Sequence, residues 1–333
     1  MINVALLGFG RIGQMHAANI NKNKDLKLLY VYEKIDLLCR KAKRQYNCKI
    51  EKNYSKIFQD KNVDLIFISS PTSTHIKFIE KGIKYKKTIF CEKPLDLNIK
   101  KILKTLKKVK KSKSKIQLGF NRRYDPSHNS LKKNLIKGKI GKLEKIIITS
   151  RDPAPPPINY LKTSGGIFKD MMIHDFDLAR YYIGSDKFKF LFAMGEYFSG
   201  KKYKNINDLE LATVVMKSKK GVQCIITNSR HCSFGYDQRV ELFGDKGMII
   251  SDNQRDLETS LYSKNLTNGK RSFKNFFIER YSDAFRIQLD DLAKFCKKNK
   301  KPLANFEDGR ISIILAETAN KSLKSKKFEL VKF

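Results

Sequence analysis

Val4-Ala5-Leu6-Leu7-Gly8-Phe9-Gly10-Arg11-Ile12-Gly13 is the stretch on which the fold turns. Four apolar residues in succession fit a strand buried on both faces, and the three glycines fit the spacing G-x-G-x-x-G. That spacing alone is weak, because glycines mark turns everywhere. Here it leaves an expected strand and opens a helix expected over residues 11–21, and Glu33 follows Gly13 by twenty positions at the end of the next expected strand, residues 26–32. This is the setting of a dinucleotide-binding βαβ unit. Gly8 would make the tight turn, Gly10 would let the backbone approach a pyrophosphate, and Gly13 would let helix and sheet pack closely. The helix N-terminus offers N–H groups and a positive dipole end to phosphate. Glu33 should accept hydrogen bonds from the ribose diol and repel a 2′-phosphate, which favours NAD over NADP.

Reading outward, the alternation continues with a helix over 35–46, strand 63–69, helix 74–85, strand 88–91, helix 98–111 and strand 116–120. Strands alternating with amphipathic helices predict a doubly wound parallel sheet, a Rossmann domain over residues 1–122. From about residue 125 the texture changes. After a helix near 127–137 come strand-like runs at 144–150, 188–198, 209–217, 221–230 and 239–243, then helices over 281–298 and 308–321. Successive strands with few crossover helices predict an α+β domain with an open, mainly antiparallel sheet over residues 123–333, a substrate-binding and oligomerisation domain.

The charge excludes less than it suggests. The 333 residues carry 69 Lys+Arg against 33 Asp+Glu, a net +36, which raises nucleic acid as a partner. Yet the cations are 55 lysines and 14 arginines spread along the whole chain, without a finger, zipper or RNA-binding signature. Base and phosphate readers favour the bidentate arginine fork, so no nucleic-acid partner is expected. No apolar run reaches the roughly 18 residues of a membrane span, and no signal peptide is evident at Met1, so a cytoplasmic protein without a membrane partner is expected. The six cysteines contain no C-x-x-C pair and no ligand spacing, so no metal is expected.

Two further segments carry chemistry. Ser70-Pro71-Thr72 and Cys91-Glu92-Lys93-Pro94 both leave strands at the carboxyl edge of the parallel sheet, where ligands bind in this architecture. Ser70, Pro71 and Thr72 would line the cofactor, and His75 would fix the loop beside it. A lysine before proline is held extended, or is joined to it by a cis bond, and either would fix the direction of Lys93. Gly165-Gly166 then opens a helix expected to carry Asp170 and His174 four apart on one face, with Asp177 a turn beyond. A histidine flanked by carboxylates is a usable general base near neutral pH.

At this point the residues resemble a known group. Residues 8–16, Phe90-Cys91-Glu92-Lys93-Pro94-Leu95 and Asp170-x-x-x-His174 resemble the Gfo/Idh/MocA oxidoreductase family. Gly119-Phe120-Asn121-Arg122-Arg123-Tyr124-Asp125-Pro126, Ser150-Arg151-Asp152-Pro153, Asn228-Ser229-Arg230 and Gly235-Tyr236-Asp237-Gln238-Arg239 are similar to its inositol 2-dehydrogenase branch. The resemblance implies NAD held by Gly8, Gly10, Arg11, Ile12, Gly13, Glu33, Ser70, Pro71, Thr72, His75, Glu92 and Lys93. It implies a cyclic polyol met by Lys93, Arg122, Asp152, Asp170, His174 and Tyr236, with Lys93, Asp170 and His174 catalytic. The implied reaction is oxidation of myo-inositol to 2-keto-myo-inositol by hydride transfer, with scyllo-inositol or an aldose as alternative substrate. The family also implies a homotetramer or homodimer through the second-domain sheets. It includes a non-catalytic NAD-sensing regulator too, which should lack the lysine or the histidine that this chain keeps.

Overall fold

The computed structural model describes residues 1–112, 114–198, 206, 208–298 and 300–333. Main-chain contacts divide the chain into two units, Met1–Tyr124 with Asp283–Ile313, and Asp125–Ser282 with Ile314–Phe333. The first opens with β1 (Ile2–Leu7), α1 (Arg11–Lys22), β2 (Leu26–Tyr32), α2 (Asp36–Tyr46), β3 (Lys49–Ile50) and α3 (Tyr54–Gln59). It continues through β4 (Leu65–Ile68), α4 (His75–Lys84), β5 (Thr88–Cys91), α5 (Ile99–Ser112) and β6 (Ile116–Leu118). The six strands lie in the order β3-β2-β1-β4-β5-β6, all parallel, with the chain reversing direction across the sheet between β1 and β4. That is the expected doubly wound arrangement.

Burial follows sequence period. Leu65–Ile68 is buried at every position, as a strand covered on both faces should be, whereas α1 buries Gly13, His16, Ala17 and Ile20 at helical spacing. The helix α11 (Ser282–Lys297), whose number follows from the elements of the second unit below, adds Leu289, Leu292, Ala293 and Phe295 to the core of Val4, Leu6, Phe9, Phe67 and Phe90. The division therefore differs from a single cut between residues 122 and 123. Helical periodicity locates this helix in sequence, but nothing local says which sheet it covers.

The second unit holds α6 (Pro126–Ile136), β7 (Leu143–Arg151), α7 (Ile158–Ser164), α8 (Gly166–Asp170), α9 (Ile173–Ile183), β8 (Phe188–Glu196), β9 (Leu211–Ser218) and β10 (Gln223–Ser229). These are followed by β11 (Asp237–Gly244), β12 (Gly247–Ser251), the hairpin β13 (Ser260–Ser263) and β14 (Leu266–Lys270), and α10 (Phe277–Arg280). The last helix, α12 (Phe306–Ser325), crosses the division of the units, and β15 (Glu329–Leu330) closes the chain. Seven strands form one sheet, β12-β11-β7-β10-β9-β8-β15, antiparallel at every pairing except β7 with β10. Ile146, Ile148, Ala212, Val214, Cys224 and Ile226 are buried on one face of it. Alternate residues on the other face, Ile147, Phe192, Val215 and Ile225, are only half-buried. Among the described residues no helix is long and apolar enough to cross a membrane.

One expectation needs correction here. Asp170 and His174 do not share a continuous helix: α8 ends at Asp170, Met171 and Met172 make a turn, and His174 lies in the first turn of α9. The Met171 and Met172 N–H groups both donate to the Ile167 carbonyl, so the chain tightens and re-aims before α9 begins. No glycine or proline marks the break.

Candidate active site

The glycine turn is built as its spacing requires. Gly8 has φ +99°, and a side chain there would lie 2.7 Å from the Ser70 Cα. A side chain on Gly13 would run into the Gly8 carbonyl. Gly10 differs, because a side chain there would meet no protein atom within 4 Å. It would instead fill the space in front of the α1 N-terminus, which has no side-chain cap. An uncapped N-terminus on a 12-residue helix, faced by a glycine that leaves it open, fits a pyrophosphate.

Glu33 stands at the end of β2 as expected, and its carboxylate is already engaged with the backbone. Oε2 accepts from the Phe9 N–H at 2.9 Å, and Oε1 accepts from the Lys34 and Ile35 N–H groups at 2.7 and 3.1 Å. It thus ties the glycine turn to the start of α2. Ser69 Oγ donates to the Gly8 carbonyl at 3.0 Å, Ser70 Oγ lies 2.6 Å from Thr74 Oγ1, and Thr72 begins a short 3-10 turn that leads into α4.

His75 is buried, with Nδ1 2.7 Å from the Pro94 carbonyl and Nε2 2.8 Å from the Ser70 carbonyl. Burial pushes its pKa down, against two carbonyl acceptors that only the imidazolium could satisfy together. Its place is between the loop after β4 and the loop after β5, as a clasp on both. Lys93 leaves β5 half-buried, and the Lys93–Pro94 bond is cis. Glu92 gives one oxygen to His16 Nε2 at 2.7 Å and accepts the Lys93 N–H on the other at 3.2 Å.

In the second unit Asp170 lies among groups that sequence reading did not assign. Tyr160 donates its hydroxyl to Asp170 Oδ1 at 2.7 Å, and the fully buried Arg230 guanidinium lies 3.4 Å from Oδ2. Arg230 also pairs with Asp208 at 2.9 Å, and Asp208 Oδ1 accepts the Ile167 N–H in α8. Although the Tyr160 residue as a whole is 48% exposed, desolvation of its hydroxyl, reinforced by Asp170, pushes the phenol up, so it stays a donor. His174 is half-buried, with Nδ1 enclosed. Asp152 lies half-buried just beyond β7, where its N–H donates to the Ser229 carbonyl. Tyr236 is buried with its ring edge-on to Tyr281 at 6.1 Å, and Arg122, in the first unit, is buried in the 3-10 turn Asn121–Tyr124. No sequence spacing points to Tyr160 or Asp208, because each partnership joins separate elements. Arg230 ends the Asn228-Ser229-Arg230 stretch, to which the resemblance assigns no role.

A parallel sheet that gathers a glycine turn, a carboxylate at the end of its second strand and a strand-end lysine at one edge belongs to a dinucleotide-dependent oxidoreductase. Residues 2–120 match the Gfo/Idh/MocA oxidoreductase family with its NAD-binding Rossmann fold, and residues 128–250 match the C-terminal domain of the same family. The chain belongs to this family and is an NAD-binding oxidoreductase. It is 38% identical over 329 residues to myo-inositol 2-dehydrogenase of Thermotoga maritima, covering 98% of this chain and 97% of that protein. It is similar in structure to a myo-inositol dehydrogenase from Corynebacterium glutamicum, with TM-score 0.96, 36% identity, and coverage of 100% and 99% of the two chains. A scyllo-inositol dehydrogenase from Lactobacillus casei, solved with bound NAD(H) and scyllo-inositol, superposes with TM-score 0.92 at 26% identity over 99% of both chains.

Proposed function

We propose that this enzyme oxidises myo-inositol to 2-keto-myo-inositol with NAD, and that Lys93, Asp170 and His174 are its catalytic residues. The observation that carries the reading is the 38% identity to a myo-inositol 2-dehydrogenase across 98% of the chain, with both the strand-end lysine and the Asp170/His174 pair present. When bound, NAD supplies the acceptor for the hydrogen that leaves carbon as hydride. The glycine turn and α1 hold the pyrophosphate, Glu33 the adenosine ribose, and Ser70, Pro71 and Thr72 the wall beside it. His174 takes the proton of the reacting hydroxyl as its C–O bond becomes C=O. The Lys93 ammonium donates to the same oxygen, and stabilisation of developing alkoxide charge in a dry site is worth several kcal/mol. Asp170, beside Arg230, orients the imidazolium that forms on His174. Arg122, Asp152 and Tyr236 meet the remaining hydroxyls in this reading. The half-buried apolar face of the second-unit sheet supports a homodimer or homotetramer, and six free cysteines fit work in the cytoplasm.

The likeness to a scyllo-inositol-bound dehydrogenase favours scyllo-inositol as second substrate. An NAD-sensing regulator is disfavoured by the presence of both Lys93 and His174. The deciding experiment follows NADH absorbance with myo-inositol, scyllo-inositol and glucose, using NAD and NADP in parallel. Turnover of myo-inositol with NAD is expected, and no turnover with any inositol removes the reading. Lys93→Ala and His174→Ala are each expected to lower kcat by at least about 100-fold while NADH still binds.

A further inference from the structure

His16 closes the motif that begins at Gly8, yet neither cofactor binding nor the proposed proton transfer uses it. It is fully buried on α1, its ring enclosed by Phe67, Phe90 and Phe285 at centroid distances of 4.6, 5.8 and 5.6 Å. Among the described residues its one polar contact is Nε2 to Glu92 Oε1 at 2.7 Å, and Nδ1 is buried without a hydrogen-bond partner. A carboxylate only accepts, so Nε2 carries the hydrogen and the aromatic walls prevent it from turning away. The second Glu92 oxygen accepts the Lys93 N–H. A third element closes the arrangement. A side chain on Gly119, just after β6, would lie 2.6 Å from Glu92 Oε2, so only glycine leaves the carboxylate where it is.

We propose that His16 and Glu92 are positioning residues for Lys93: α1 and the end of β6 pin the Glu92 carboxylate, which holds the main chain from which the lysine projects. The inference rests on Lys93 acting on the substrate oxygen as proposed above. It gives Glu92 a different task from the cofactor contact that resemblance implies. It also links the helix that binds pyrophosphate to the residue that touches substrate, through one charge-assisted hydrogen bond.

The test measures kcat with NAD and myo-inositol, and NADH affinity by fluorescence titration, in His16→Phe, His16→Gln, Glu92→Ala and Gly119→Ala. Phenylalanine keeps the ring packing and removes the donor, whereas glutamine keeps a donor. Displacing a reacting group by about 1 Å costs on the order of 100-fold, so losses of 10- to 100-fold in kcat are expected for His16→Phe and Glu92→Ala, with NADH affinity within about twofold of wild type. His16→Gln is expected to recover most of the loss. The pair acts as a unit, so His16→Phe should add nothing to Glu92→Ala and nothing to Lys93→Ala. Gly119→Ala, which presses on the carboxylate from another side, should lower kcat even if His16→Phe does not fold. Wild-type kcat in Gly119→Ala or in folded His16→Phe overturns the inference, as do additive losses or a fall in NADH affinity that matches the fall in kcat. Wild-type enzyme that oxidises no inositol overturns the proposed function and this inference together, whereas turnover that is indifferent to these variants overturns the inference alone.

Discussion

Glu33 accepts hydrogen bonds from three main-chain N–H groups, and one of them belongs to Phe9 inside the glycine turn. The same carboxylate that should receive the ribose diol therefore also shapes the turn that should receive the pyrophosphate. Glu33→Ala is expected to weaken NAD binding by about tenfold, roughly the loss of one charge-assisted hydrogen bond, and to narrow the preference over NADP. Titration with both cofactors checks it, and an unchanged NAD-to-NADP ratio would count against the ribose contact. Gly8→Ala acts through sterics alone. With φ at +99° and the Ser70 backbone 2.7 Å from the added carbon, a loss of about 1–3 kcal/mol is expected in urea unfolding. These residues were legible because their backbone geometry leaves few alternatives to glycine. The Phe9–Glu33 bond was not, since spacing places a carboxylate near the turn without saying which atoms it meets.

Between elements, the cluster of Arg230, Asp208 and Asp170 joins the end of β10 to α8. Burial raises the Asp208 pKa, and Arg230 only partly opposes it. Arg230→Met would leave that carboxylate enclosed without its main counter-charge, a situation that typically costs about 3–5 kcal/mol. The sign with pH follows from the direction of the shift. A carboxyl whose folded pKa lies above its unfolded value contributes stability that is lost as pH rises through the folded pKa, so the variant should lose less stability near pH 5 than at pH 8. Urea titrations at the two pH values test this, and an equal loss at both would mean that Asp208 charge is not the cause. Apolar runs bounded by polar residues were legible: 26–32 and 88–91 coincide with β2 and β5. The two-residue strands β3 and β15 and the six-residue α3 are too short to show a period. The break between α8 and α9 escaped because Met171 and Met172 continue an apolar helical pattern through it.

For the whole molecule, the net charge of +36 and the half-buried sheet face make opposing demands on association. The lysines crowd solvent faces, as on α5, where Ile102 and Thr105 are buried and Lys104, Lys107, Lys110 and Lys111 are exposed. Two such chains repel one another over a Debye length of about 8 Å at physiological salt, and added salt shortens that reach. Against this stands a row of residues in register across five strands: Phe192, Val215, Ile225, Ile147 and Glu241. If copies associate through this face, association should tighten as salt rises from 20 to 500 mM, the reverse of what an interface held by ion pairs would do. Ile225→Lys places a charge in the middle of the row, while its neighbour Ile226, buried on the opposite face, keeps the core intact. The expected result in sedimentation is a wild-type oligomer and a folded Ile225→Lys monomer of 38.6 kDa. A wild-type protein already at 38.6 kDa across the salt range, or an Ile225→Lys variant that remains oligomeric, would show that this face is not where copies meet.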